Sequence, residues 1–131
     1  KGAKRAYHHT APVNSLYALH ESLRLVHEEG LENAWTRHAT MHEKLKTGLD
    51  DLGLSLLVDE AIRLPQLNTV IIPEGVDDAS VRSQLLNEFN LEIGAGLGAL
   101  AGKVWRIGLM GYAANDKNID FCVSSLKKIL R

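Results

Sequence analysis

Apolar residues recur every three or four positions along residues 13–52, and Gly30 alone interrupts the pattern. This spacing places apolar side chains on one face of a helix, so it predicts two consecutive helices rather than strands. The first is expected to begin after Pro12. The second is expected to end at Gly53, because glycine readily adopts the left-handed conformation that ends helices.

Beyond Gly53 the pattern changes to short apolar runs bounded by polar residues or glycine. The runs at 54–58, at 68–73 and at 104–110 are typical of strands, with a briefer one at 91–94. Short amphipathic helices are predicted after Asp77 and around residues 115–130, where acidic and amide side chains offer helix caps. This order of helices and strands along the chain predicts an α+β fold, with a small, mostly antiparallel sheet covered by helices on one face.

Composition narrows the possible functions. The chain has 131 residues, within the usual size of one domain, and its 15 basic and 16 acidic residues leave a net charge of -1. No overall field attracts nucleic acid or an anionic membrane, and no apolar stretch approaches the ~20 residues of a membrane span. The single cysteine, Cys122, lies in a helical pattern and is interpreted as a small buried hydrophobe, which favours a reducing compartment.

Arg106 is out of place in the apolar run 104–110. A guanidinium is always charged, so its burial is costly unless an anion pairs with it. Three interpretations remain open from the residues alone: an edge-strand side chain that reaches solvent, half of an internal ion pair, or a binding site for an external carboxylate or phosphate.

The stretch YHHTAP, residues 7–12, gathers hydroxyl and imidazole groups just ahead of the first predicted helix. A phosphate would be well placed there, because the first amides of a helix favour anions. The alternative is a plain turn with a helix cap at Thr10 or Asn14.

Two weaker patterns have simpler explanations. GAGLGA, residues 94–99, formally matches a dinucleotide fingerprint, but a strand follows at once where that site requires a helix, so a flexible loop is expected. His38 and His42 share the i, i+4 spacing of metal ligands, yet His38 falls on the apolar stripe and no H-E-x-x-H is present. Core or surface histidines are the better interpretation.

Three stretches together resemble the C-terminal portion of alanine–glyoxylate (serine–pyruvate) aminotransferases, class V members of the fold-type I pyridoxal-phosphate enzymes. They are YHHTAPVNSLYALHESLRLVHEEGLENAWTRH, RLPQLNTVIIPEG and LEIGAGLGALAGKVWRIGLMGYAAN. The resemblance implies transfer of an amino group between alanine or serine and glyoxylate or pyruvate. It also implies pyridoxal 5'-phosphate as cofactor, small amino acids and 2-oxo acids as substrates, and a homodimer.

The resemblance also implies roles for individual residues. Arg106 would grip the α-carboxylate of the substrate, while Tyr7 and Thr10 would reach the cofactor phosphate of the neighbouring subunit. The glycine-rich loop at 94–98 would lie near the substrate entrance. The resemblance supplies no role for His8 or His9.

The family's cofactor-binding lysine lies upstream of YHHT in a larger domain, and no lysine of this chain stands in its context. We therefore expect a fragment, inactive alone, in which residues 1–14 belong to the large domain and residues 15–131 form the small one. A cytoplasmic location is expected, with a peroxisomal or mitochondrial one open for a eukaryotic source. The alternative is a stand-alone module that binds a carboxylate metabolite without catalysis.

Overall fold

The computed structural model describes residues 8–131 and divides the chain into two compact units, residues 1–34 and 35–131. The first unit holds helix α1 (Val13–Glu29) and the start of α2 (Leu31–Asp50). Between them Gly30 has a φ of +84°, a conformation that suits glycine and ends α1. No residue of α1 is buried.

The second unit contains the rest of α2, a three-stranded sheet and two further helices. In chain order these are β1 (Leu67–Ile71), α3 (Asp78–Phe89), β2 (Gly94–Ala95), β3 (Val104–Gly108) and α4 (Asp116–Ile129). The strands run in the order β1-β3-β2, and both pairings are antiparallel.

The sheet has two unlike faces because successive side chains of a strand point to opposite sides. Trp105 and Ile107 of β3 and Val70 of β1 belong to the buried core, together with apolar residues of α2, α3 and α4. The alternate positions lie on the other face, where Arg106 and Thr69 are partly exposed and Val104 is buried. Helices of this unit therefore cover one face of the sheet, as the sequence predicted.

Helix ends follow the predicted capping residues. The Asp77 side chain accepts a hydrogen bond from the backbone N–H of Ser80 at the start of α3, and Asn115 accepts one from Asn118 at the start of α4. Helix α2 ends at Asp50, slightly before the predicted stop at Gly53, whose φ is +74°.

The strand predicted at residues 54–58 is wrong. Only an isolated bridge forms there, between Leu56 and Val70, with backbone hydrogen bonds from Leu57 to Thr69 and from Ile71 to Ser55. These contacts run along the outer edge of β1 but are too few to make a strand.

The α+β class and the small antiparallel sheet preceded by a long helical segment are confirmed. The domain boundary after residue 14 stays a prediction. Among the described residues, none of the helices combines the length and apolarity that crossing a membrane requires.

Candidate functional site

Arg106 lies at the middle of β3, the central strand, on the face of the sheet opposite to the core, which the helices of this unit leave uncovered. Its cross-strand partners are Thr69 on β1 and Gly94 on β2. The edge-strand interpretation is therefore wrong, because strands flank Arg106 on both sides. The charge avoids the apolar core by alternation: Trp105 and Ile107 take the buried positions, and Arg106 stays partly exposed between them.

Among the described residues, the guanidinium of Arg106 makes one hydrogen bond. Its Nε donates a 2.7 Å hydrogen bond to the carbonyl oxygen of Ala95. Within residues 8–131 no carboxylate forms an ion pair with Arg106, so the internal ion-pair interpretation is wrong, and Nη1 and Nη2 have no hydrogen-bond partner there. Nε is therefore engaged, while the two terminal nitrogens could donate to a carboxylate or a phosphate.

The neighbouring glycine-rich segment packs closely against this site. A Cβ added at Gly94 would lie 3.3 Å from Nη2 and 3.4 Å from Nε of Arg106. A Cβ added at Gly96 would lie 2.0 Å from the carbonyl oxygen of Leu100, a distance that no real contact allows. The segment forms β2 and then a three-residue 3-10 turn before β3. No α-helix begins on its glycines, so they do not form a dinucleotide site.

A partly buried polar cluster holds β3 from the opposite face, and the sequence analysis missed it. Trp105 is fully buried, and its Nε1 donates a 3.0 Å hydrogen bond to Oδ1 of Asp78 at the start of α3. Arg82 donates to both oxygens of the same carboxylate, at 2.8 and 3.2 Å. Arg82, with a smaller contribution from Trp105, lowers the pKa of the Asp78 carboxyl. The four-residue spacing of Asp78 and Arg82 is visible in the sequence, but the contact with Trp105 depends on the tertiary fold.

The two histidines considered for a metal site have separate structural partners. His42 is buried, with its Nδ1 2.6 Å from Oδ1 of Asn68, while His38 accepts a hydrogen bond from the backbone N–H of Gly111. Across the described part of the chain, no three histidine, cysteine or acidic side chains group in a way that could hold a metal ion. These histidines instead tie α2 to β1 and to the turn at Gly111–Ala113.

Cys122 lies in the core at 5% exposure, as expected for a small buried hydrophobe. Burial raises the pKa of its thiol to about 11. The thiolate is scarce at neutral pH, which leaves this side chain with a packing role.

The structure describes only part of the YHHTAP stretch, residues 7–12. Tyr7 lies outside the described residues. Thr10 is exposed, and α1 has Pro12 at its N-cap with no side-chain hydrogen bond, so the predicted cap at Thr10 or Asn14 is wrong. Thr10 stands two residues before that N-cap, and its hydroxyl has no partner within the described residues. A hydroxyl just ahead of a helix N-terminus could donate to an anion such as a phosphate group.

Comparison with known proteins supplies relatives along the whole chain, although no protein-family model matches it. An alanine–glyoxylate aminotransferase of Callithrix jacchus is 47% identical over 131 residues, which are 99% of this chain and 32% of that protein. An (S)-ureidoglycine–glyoxylate transaminase of Bacillus subtilis is 43% identical over 97% of this chain and 30% of its own length. The crystal structure of an alanine–glyoxylate aminotransferase from Nostoc sp. superposes with a TM-score of 0.93 at 53% identity, over 99% of this chain and 34% of that one.

The chain thus spans about a third of the length of these relatives. Similarity in sequence and in fold along nearly the whole chain confirms the resemblance found in the sequence. By this homology the chain belongs to the alanine–glyoxylate aminotransferase family.

Proposed function

We propose that this chain is the C-terminal part of a pyridoxal-phosphate aminotransferase that moves an amino group from alanine or serine to glyoxylate or pyruvate. In this proposal Arg106 binds the α-carboxylate of both the amino acid and the 2-oxo acid. The relatives, which are alanine–glyoxylate and ureidoglycine–glyoxylate aminotransferases, support the reaction class. The free terminal nitrogens of Arg106 on the uncovered face of the sheet carry the assignment of the residue.

The chemistry of a guanidinium suits this task. Nη1 and Nη2 present parallel N–H groups that match the two oxygens of a carboxylate, so the substrate is fixed in orientation as well as in place. The bond from Nε to the Ala95 carbonyl prevents the guanidinium from rotating. Substrate orientation of this kind aims Cα at the cofactor and lowers the entropic part of the barrier.

Pyridoxal phosphate, when bound, withdraws the electrons left on Cα as its proton is removed. We propose that Thr10 and Tyr7 donate hydrogen bonds to the cofactor phosphate across a homodimer interface, and that the lysine which holds the cofactor lies in another part of the full-length protein. This chain by itself would then be inactive. We also propose a cytoplasmic location.

The test uses the full-length protein, assayed for amino transfer from alanine to glyoxylate. Arg106→Ala is expected to lower kcat/KM by about 2–4 kcal/mol of transition-state binding, roughly 30- to 1,000-fold, since one partner of a charged hydrogen-bonded pair is lost. Arg106→Lys should recover only part of the loss, because an ammonium keeps the charge without the planar pair of donors.

Arg131→Ala is the matched control, because Arg131 is exposed at the end of the chain and its removal should leave the kinetics unchanged. Unchanged kinetics in Arg106→Ala would refute the carboxylate assignment. A full-length protein that binds pyruvate through Arg106 yet transfers no amino group would instead be the carboxylate-binding module considered as the alternative.

A further inference from the structure

The side chain of Arg106 crosses over β2, the strand at one end of the described sheet, at the position of Gly94. A Cβ added at Gly94 would lie 3.3 Å from Nη2, 3.4 Å from Nε and 3.5 Å from Cβ of Arg106. Nε then donates its 2.7 Å hydrogen bond to the carbonyl oxygen of Ala95. The guanidinium therefore lies against the backbone that joins Gly94 to Ala95.

The backbone N–H and C=O of Ala95 both point away from β3. The N–H of Gly96 donates to the carbonyl oxygen of Val104, so these two residues form a hydrogen-bonded pair of the β2–β3 ladder. Such pairs alternate with non-bonded pairs along an antiparallel ladder, and each residue has its N–H and C=O on the same side of the strand. Ala95, which stands opposite Trp105, is thus in a non-bonded pair, and its two groups face the outer edge of β2.

Only one of these two groups is engaged. The carbonyl oxygen of Ala95 accepts from Arg106, whereas its N–H has no hydrogen-bond partner among residues 8–131. One terminal N–H of a guanidinium runs parallel to Nε–H, because the group is a rigid planar fork. That terminal N–H therefore points toward the same edge of β2 as the N–H of Ala95.

We propose that the backbone N–H of Ala95 is a second donor to the substrate carboxylate that Arg106 binds. Nη2 lies over Gly94, and the peptide bond from Gly94 to Ala95 carries this N–H, so one carboxylate oxygen can accept from both groups. The N–H also offsets the repulsion between the carboxylate and the nearby carbonyl oxygen of Ala95. This inference rests on the proposed function.

A backbone donor adds orientation that the guanidinium alone does not supply. A carboxylate has about four acceptor positions, and the terminal nitrogens of Arg106 occupy two of them. The N–H of Ala95 belongs to a strand and cannot rotate as a side chain does, so it fixes the tilt of the carboxylate relative to β2. Fixed tilt aims the substrate Cα in one direction.

The experiment removes this N–H in the full-length holoenzyme by two routes. Ala95→Pro deletes the N–H, keeps the carbonyl that binds Arg106, and suits an edge strand whose N–H points outward. Lactate in place of Ala95, introduced by semisynthesis, exchanges the N–H for an oxygen without the bulk of the proline ring. Either change should raise the KM of alanine about tenfold, with kcat within about twofold, since one hydrogen bond to a charged group is lost. The dissociation constant of propionate, measured by calorimetry, should rise by the same factor.

Ala99→Pro is the matched control. Ala99 is exposed in the 3-10 turn Gly98–Leu100, and its N–H also has no backbone partner among the described residues. Its replacement should leave the KM of alanine and the dissociation constant of propionate within about twofold. Unchanged constants in the lactate protein would overturn the role of the Ala95 N–H, whatever Ala95→Pro does.

Combination with Arg106→Ala separates this inference from the proposed function. Without Arg106 the carboxylate is no longer held at the edge of β2, so lactate in place of Ala95 should then change the dissociation constant of propionate by at most about twofold. A tenfold effect that persists without Arg106 would contradict a carboxylate shared by the two donors. No effect of Arg106→Ala itself would remove the proposed function and this inference together.

Discussion

At the scale of single residues, the position of Arg106 is explained by what lies behind it. Trp105 occupies the adjacent core position, and its indole N–H donates to Asp78, so β3 cannot rotate about its own axis without breaking this partly buried hydrogen bond. The alternation of the strand then places Arg106 on the uncovered face. A core residue thus determines which way the charged residue points.

The substitution Asp78→Asn tests how much this contact between Asp78, Trp105 and Arg82 stabilises the fold. The Asp78 side chain is only 16% exposed, and removal of its charge weakens two hydrogen bonds from Arg82. We expect a loss of about 1–2 kcal/mol in the free energy of unfolding at pH 7, measured by urea denaturation. Asp51→Asn, at an exposed position, is the control and should change it by less than about 0.5 kcal/mol.

The pH dependence of the stability difference between the wild type and Asp78→Asn follows from the direction in which the pKa of Asp78 is shifted. Because Arg82 lowers the pKa of Asp78 in the folded state, the carboxylate stabilises the fold above the unfolded pKa of about 4. That contribution is lost as the pH falls through the lowered folded pKa. The difference between the wild type and Asp78→Asn should therefore shrink on acidification, and a constant difference from pH 7 to pH 2 would contradict the assignment.

At the scale of elements, the pattern predicted the helices better than the sheet. Helix periods and caps are local, so Gly30, Asp77 and Asn115 indicated element ends that the structure has within a few residues. The segment at 54–58 was overpredicted, because its apolar residues satisfy a strand pattern while the outer edge of β1 pairs with it at a few points only.

In the candidate site, too, a local feature was visible in the sequence and the tertiary arrangement was not. Arg106 stood out as a charge in an apolar run, whereas the strands that flank it on both sides are known only from the register. Register depends on which strands pair with each other. No local sequence pattern indicates the order β1-β3-β2.

Gly96→Ala tests the loop that joins β2 to β3. The added Cβ would collide with the Leu100 carbonyl and approach Val104 Cγ2 to 2.9 Å, so the backbone must move and the hydrogen bond from Gly96 to Val104 is strained. We expect thermal or urea unfolding to show a loss of about 1–3 kcal/mol. Gly108→Ala is the control, because its Cβ would meet nothing closer than Met110 Cε at 3.8 Å. Equal stability of the two variants would show that the loop relaxes freely.

At the scale of the whole molecule, the apolar residues are unevenly distributed. Every member of the core cluster lies between Met41 and Leu126, while α1 contributes no buried residue and leaves its apolar positions exposed. The exposed apolar residues of α1 are Val13, Leu16, Tyr17, Leu19, Leu23, Leu25 and Val26. An amphipathic helix with such a stripe normally packs against other protein surface, which agrees with the proposal that the chain is part of a larger enzyme.

A shortened chain that begins at Leu31 tests this division. Because the described core needs no residue of α1, the shortened chain should retain a cooperative unfolding transition with a midpoint within about 3 °C of that of the 131-residue chain. It should also aggregate less, since the exposed stripe of α1 is removed. Differential scanning calorimetry measures the first effect and light scattering at matched concentration the second. A fall in midpoint of 10 °C or more would show that α1 stabilises residues 35–131, and the division into independent units would then be wrong.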